Sequence, residues 1–123
     1  VIPYNPLAGG FLTGKHTRGN PTDGTRFTLG TASGRYQERY WHERMFDTVD
    51  ALKPIAAEAG MTLAELAVSW TLANPTVTSP IVGASKPAQL DDALRAASKP
   101  MPADLKARLD QLTHEYRFGD NAR

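Results

Sequence analysis

The apolar positions fall into two kinds of run. In residues 35–59, Tyr36, Tyr40, Met45 with Phe46, Val49, Leu52 and Ile55 with Ala56 recur at steps of mostly three and four. That is the spacing of one buried helical face. The pattern predicts a helix over 35–59 that Pro54 kinks or divides and Gly60 stops. Thr62-Leu63-Ala64-Glu65 reads as a capping box, in which the threonine and glutamate side chains each take a backbone N–H of the first turn. It opens a second helix with Leu63, Leu66, Ala67 and Trp70 on its inner face and an end at Asn74-Pro75. Trp70 is expected in the core. Pro102 starts a last helix, with Leu105, Leu109, Leu112 and Tyr116 in one stripe, and 117–123 is a polar tail.

The second kind of run is short and does not alternate. Val1-Ile2-Pro3-Tyr4 and residues 77–82 read as two strands, the second apolar enough to be buried on both faces. Each leads into a loop rich in ligand-type residues. After the first, residues 5–15 mix apolar side chains with Pro6, Gly9, Gly10 and Gly14. Glycines there let a ligand approach the backbone closely; equally, the loop only buries Leu7, Phe11 and Leu12. Lys15 reaches a phosphate or is a solvated surface lysine, the commoner case. Residues 16–34 form a long loop of Gly, Thr, Asn and Pro, of a kind that is usually functional or mobile. Arg26, beside Phe27, clamps an anion or lies on the surface. Tyr36 and Arg39 share a helical face; they point into a pocket, or the tyrosine packs and the arginine is solvated.

After the second run comes Ser79-Pro80-Ile81-Val82-Gly83-Ala84-Ser85-Lys86-Pro87-Ala88-Gln89-Leu90-Asp91-Asp92. It reads as a strand, a tight turn at Gly83 and a helix opening near Ser85 to Pro87, with Leu90 and Leu94 facing inward. A helix start leaves backbone N–H groups unpaired and carries a partial positive charge, so it can hold an anion. Ser85 caps the helix or donates to a phosphate oxygen, Lys86 adds a full charge, and Pro87 suits the first turn. Many strand–Gly–Ser–helix steps bind nothing, so the pattern alone leaves both readings open.

Composition narrows the classes. The 123 residues fit one domain, and 41% hydrophobic with 22% charged is ordinary globular composition. A net charge of +1 with no dense Lys/Arg block gives little support to a nucleic-acid partner. Without cysteine there is no disulfide scaffold and no Cys-based metal site or nucleophile; a cytoplasmic setting is compatible with that, and no metal site is expected. No apolar run reaches the roughly 18–20 residues of a membrane span. The chain opens at Val1, without Met, on what reads as a buried strand, so a missing upstream part is expected.

The order is strand, loop and helices, strand, helix, helix. Two strands joined by a helical crossover suggest parallel βα units. Two strands cannot close a barrel by themselves. The expected fold class is α/β: the C-terminal part of a (β/α)8 barrel, strands seven and eight with their helices, whose sites lie at the C-terminal ends of the strands.

Tyr4-Asn5-Pro6-Leu7-Ala8-Gly9-Gly10-Phe11-Leu12-Thr13-Gly14-Lys15 resembles the strand-seven segment of the aldo-keto reductases, and Ile81-Val82-Gly83-Ala84-Ser85-Lys86-Pro87-Ala88-Gln89-Leu90 their strand-eight cofactor segment. Arg35-Tyr36-Gln37-Glu38-Arg39-Tyr40-Trp41 is similar to a helix of the aflatoxin-aldehyde reductase branch and its bacterial relatives. The resemblance runs over nearly the whole chain and covers about the C-terminal third of a complete reductase. It implies NADPH-dependent reduction of an aldehyde or ketone. The tyrosine, aspartate, lysine and histidine that the family uses for catalysis lie on early strands, so this chain is expected to hold none of them. Tyr4, His16, His42 and His114 are not candidates for those roles.

Position by position, the resemblance places Tyr4 against the nicotinamide. It places the loop from Asn5 through Pro6, Leu7, Gly9 and Gly10 to Lys15 around the pyrophosphate. Arg26 matches a loop arginine beside the cofactor; Ser85 and Lys86 lie at the 2′-phosphate, with Gly83 also among the cofactor-binding positions; Gln89 and Asp92 reach the adenosine end. Most relatives carry Asn one position after Asp92, where this chain has Ala93. A lost adenine hydrogen bond is worth about 0.5–1.5 kcal/mol, or about tenfold in affinity at most. Tyr36 and Arg39 match the substrate mouth, where an arginine suits an aldehyde that carries a carboxylate. Two alternatives remain open: a non-catalytic nucleotide-binding module, as some members are with potassium channels, and an inactive truncated remnant.

Overall fold

In the computed structural model, which describes residues 1–119, the helices run α1 (Ser33–Tyr40), α2 (Glu43–Glu58), α3 (Leu63–Leu72), α4 (Asp91–Ser98) and α5 (Ala103–Leu112). Short 3-10 turns cover Ala8–Thr13, Pro87–Leu90 and His114–Tyr116. The polar tail expected at 117–123 lies outside the described residues beyond Gly119.

The helical stripe of 35–59 is where the periodicity put it, with Met45, Phe46, Val49, Leu52, Ile55 and Ala56 buried on α2. The division is not at Pro54. Pro54 lies inside α2 with its ring on the exposed face, where water can satisfy the carbonyl it leaves unpaired. The break falls at Trp41–His42. The Trp41 indole N–H donates to the Gly19 carbonyl (2.8 Å), and His42 turns extended at φ −136°, ψ 155°. Its carbonyl then accepts the Met45 and Phe46 N–H groups (3.0 and 3.2 Å) that begin α2.

Half of the capping box forms. Thr62 Oγ1 accepts the Glu65 N–H at 3.0 Å, while the Glu65 carboxylate turns away to Arg95 Nε (3.2 Å). Trp70 is not a core residue: it is 37% exposed, because its indole N–H seeks Asp110 Oδ1 (2.7 Å) at the rim of α5 and its ring lies under Lys106 Nζ (5.0 Å). α3 packs most extensively against α4. That contact uses the small residue Ala96, which is buried. Leu94 therefore faces the other way and is 66% exposed, and Leu90 is exposed as well, contrary to the inward placement expected for both.

The two β-type runs lie side by side and parallel. Tyr4 bridges to Ile81, the Ile81 N–H donates to the Pro3 carbonyl and the Thr78 N–H to the Val1 carbonyl, both at 2.8 Å. The Val1 ammonium extends the contact by donating to the Thr76 carbonyl at 2.8 Å, and among the described residues no longer strand forms. Nor are the runs buried: Val1, Ile2, Tyr4 and Ile81 are all exposed. Each run has only the other beside it, so no second layer of the described chain covers them.

The long loop is pinned rather than loose. Phe27 is 0% exposed and meets Phe11 edge-on at 5.9 Å, as do Trp41 (5.7 Å) and Phe46 (4.8 Å). Gln37 Nε2 donates to the Phe27 carbonyl at 2.6 Å, and the Thr22 carbonyl accepts the hydroxyls of Thr25 (2.7 Å) and Thr28 (3.1 Å). No helix among the described residues is long and apolar enough to cross a membrane, and no group of metal-ligating side chains gathers among them.

Candidate functional site

Because the two β-type runs are parallel, the loops that follow them leave from the same end of the pair. The first begins at Asn5, directly after the bridge residue Tyr4; the second begins after Ile81.

The first loop is built on left-handed backbone. Asn5 (φ 62°), Ala8 (φ 51°), Gly9 (φ 69°) and Gly10 (φ 96°) all have positive φ. Asn5 holds this turn together: its Oδ1 accepts the Gly9 N–H (2.7 Å), its carbonyl accepts the Ala8 N–H (3.1 Å), and its Nδ2 donates to Tyr40 Oη (3.3 Å). The Leu7 carbonyl accepts the N–H groups of Gly10 (2.9 Å) and Leu12 (3.1 Å). Gly9 has no room for a side chain, since a Cβ there would stand 2.7 Å from Tyr36 Cδ1. The Lys15 ammonium lies over Gly10, 3.9 Å from where a Cβ would be. Arg26 reaches the same cluster. Its Nη1 donates to Tyr36 Oη (3.3 Å) and its guanidinium stands 5.8 Å over the Tyr36 ring. Asn5, Gly9, Gly10, Lys15, Arg26 and Tyr36 thus form one constellation, joining candidates for the cofactor with one for the substrate.

His16 closes the base of that loop. It is 6% exposed, packed among Phe11, Phe27 and Trp41, with Nδ1 3.2 Å from Thr22 Oγ1 and Nε2 without a partner. Burial, and then the nearby Lys15 charge, lower its pKa below the ordinary 6.5.

The second loop collects donors on a single oxygen. Gln89 Oε1 accepts the Ser85 N–H (2.8 Å), the Ser85 hydroxyl (3.1 Å) and the Lys86 N–H (3.3 Å). Lys86 is exposed beside them. Three donors converging on one acceptor describe a pocket for an oxygen, here filled from within the chain. Gly83 is not needed for its backbone: its φ is not in the left-handed region and open space surrounds a Cβ. Asp92 Oδ1 accepts from Thr62 Oγ1 (2.9 Å) and from Arg95 Nη2.

Tyr4, Pro6 and Arg39 belong to a third place. They line a cavity of about 820 Å³ between α2, α3, α5 and the C-terminal turn, whose walls include Leu12, Met45 and Trp70. Tyr4 is 74% exposed there. The Arg39 guanidinium lies 5.2 Å over the Tyr40 ring. Tyr36 does not line this cavity, so the structure separates the two residues expected to share a substrate mouth.

A sequence profile of the Aldo/keto reductase family matches residues 1–114. The chain belongs to that family. It is 41% identical over 99 residues to a probable voltage-gated potassium channel subunit beta of Oryza sativa subsp. japonica, covering 78% of this chain and 29% of that protein. It is 33% identical over 95 residues to L-glyceraldehyde 3-phosphate reductase of Escherichia coli K12, covering 77% of this chain and 28% of that one. The structure of a glycerol dehydrogenase from Gluconobacter oxydans superposes with a TM-score of 0.70 at 22% identity, over 94% of this chain and 34% of that one. That likeness shows an aldo/keto reductase-type fold for the segment. The chain spans about 29% of the length of the curated relatives it matches first.

Three residues shape this aldo/keto reductase segment through contacts that no local pattern encodes. The periodicity assigns Tyr40 to the core, yet its hydroxyl also accepts from Asn5 Nδ2 at 3.3 Å. Arg95 and Glu65 pair across α3 and α4. The Thr-x-x-Glu motif was visible; that its glutamate reaches 30 residues ahead was not.

Proposed function

We propose that the chain is the C-terminal part of a (β/α)8 barrel and carries the phosphate and adenosine side of an NADPH site in an oxidoreductase that reduces aldehydes or ketones. One observation supports this above the others: the parallel Tyr4–Ile81 bridge sends the Asn5–Lys15 loop and the Gly83–Gln89 turn out from the same end. The residues present fit the cofactor. The Ser85 hydroxyl and the N–H groups of Ser85 and Lys86 already converge on an acceptor oxygen, and phosphate oxygens are stronger acceptors than a carboxamide. Lys86 supplies the charge that a 2′-phosphate requires. Lys15 and the left-handed turn at Ala8–Gly10 face the pyrophosphate, and Arg26, steadied on Tyr36, approaches it from the long loop. Tyr4 offers its exposed ring to the nicotinamide. When bound, the nicotinamide supplies the hydride. This chain's own residues bind and orient; none of them is assigned the proton transfer.

Lys86→Glu, made in the intact barrel, is expected to weaken NADPH far more than NADH in a fluorescence titration. Equal losses for the two nucleotides would remove the 2′-phosphate role.

A second reading follows from the rice relative and the similarly named protein of Arabidopsis thaliana, 39% identical over 96 residues. In it the same nucleotide site serves a non-catalytic subunit that docks on another protein. A third, an inactive remnant, draws on the exposed Val1, Ile2, Tyr4 and Ile81.

A further inference from the structure

We propose that Glu65 and Arg95 are positioning residues for the turn at 83–89 and set its preference for a nucleotide bearing a 2′-phosphate; this rests on the NADPH reading above. Glu65 carries a carboxylate and is only 3% exposed. A buried carboxylate is tolerated when it is paired and hydrogen-bonded. Among the described residues its charged partners come from α4 and the residue after it: Arg95 Nε at 3.2 Å and Lys99 Nζ at 4.0 Å. Arg95 turns its other nitrogen to Asp92 Oδ1. The same oxygen receives the Thr62 hydroxyl at 2.9 Å, and Thr62 in turn accepts the Glu65 N–H at 3.0 Å. Thr62, Asp92, Arg95 and Glu65 therefore close a ring that locks the first turn of α3 to the first turn of α4.

The ring acts on the site through continuity of the backbone. α4 begins at Asp91, directly after the 3-10 turn Pro87–Leu90. Gln89 in that turn is the residue whose carboxamide gathers Ser85 and Lys86. Moving the start of α4 moves those donors with it. Asp92 Oδ1, holding two donors inside the protein, contributes by fixing α4. Placement by a few tenths of an ångström matters most for a dianionic group taken by several donors at once, because each bond is steep in distance and angle. The clamp is thus expected to weigh on the 2′-phosphate more than on the rest of the nucleotide.

The test compares NADPH and NADH affinities in the intact barrel for wild type, Glu65→Gln, Arg95→Met, Arg95→Lys and the paired Glu65→Met/Arg95→Met. Glu65→Gln and Arg95→Met should each lower the NADPH-to-NADH affinity ratio by about fivefold to tenfold, with Arg95→Lys retaining most of it and the paired variant losing no more than either single change. The paired variant also covers the case in which Arg95→Met leaves the buried Glu65 carboxylate short of its partner and fails to fold, since Glu65→Met removes that charge altogether. An unchanged ratio in folded variants, or losses that simply add, would overturn the clamp while leaving the cofactor reading intact. A wild type that binds neither nucleotide would remove both.

Discussion

His16 shows what one side chain does for the first loop. It follows the exposed Lys15 and returns the chain to the aromatic core, where Phe11, Phe27 and Trp41 surround it. Nε2 has no partner, so a second proton on the ring would be buried without one. Burial lowers the folded-state pKa below 6.5, so the unfolded chain binds the proton more tightly. The stability His16 contributes is then complete above the ordinary value and is lost as pH falls through the folded-state pKa. The melting temperature should fall as pH drops below the ordinary histidine value of 6.5, and His16→Phe should flatten that slope; an equal slope in the variant would show that other groups set it. Arg39 makes a different prediction. It lies at the apolar cavity with Tyr4, so Arg39→Ala should raise KM for carboxylated aldehydes and leave neutral ones nearly unchanged. A constant ratio between the two substrate types would take Arg39 out of the substrate site. At this scale the sequence was partly legible. The glycines at 9 and 10 announced left-handed backbone, and Lys15 does lie over Gly10. That Tyr36 would lie on Gly9 under Arg26, away from Arg39, depends on packing between segments 27 residues apart, which no local pattern encodes.

At the scale of elements, local signals held wherever local forces decide. The stripe on α2, the Thr62 cap of α3 and the start of α5 after Pro102 follow from periodicity and capping, which act within a turn or two. Where a distant partner decides, the expectation failed. The break between α1 and α2 comes from Trp41 reaching back to Gly19, not from Pro54. Leu94 faces outward because α4 approaches α3 through Ala96. The long loop is fixed by Phe27, and its removal is the sharpest test of that statement. Phe27→Ala should cost about 3–5 kcal/mol of stability by opening a cavity among Phe11, His16 and Trp41. Chemical denaturation followed by Trp41 fluorescence would measure it; a loss under about 1 kcal/mol would mean that the loop is anchored elsewhere, since deleting a fully buried aromatic ring is never that mild in a packed core.

For the whole molecule, the chain is one segment of an aldo/keto reductase fold. Its helices form two joined clusters around α2, while the paired runs at Val1–Tyr4 and 78–81 stay open to solvent. The βα order was legible from the sequence; the sheet was not realised beyond one bridge, because pairing of this kind is cooperative across several strands and two short runs supply too few partners. What survives is the direction of the pair, and the account depends on it: two loops leaving the same end and together holding NADPH. The most direct test is amide hydrogen exchange on this segment within the intact barrel, with and without saturating NADPH. Exchange should slow at Gly9, Gly10, Ser85 and Lys86 together, with the exposed face of α5 unchanged. A folded chain in which none of these amides is protected, or in which protection appears only in one loop or around the cavity at Trp70 and Arg39, would contradict it.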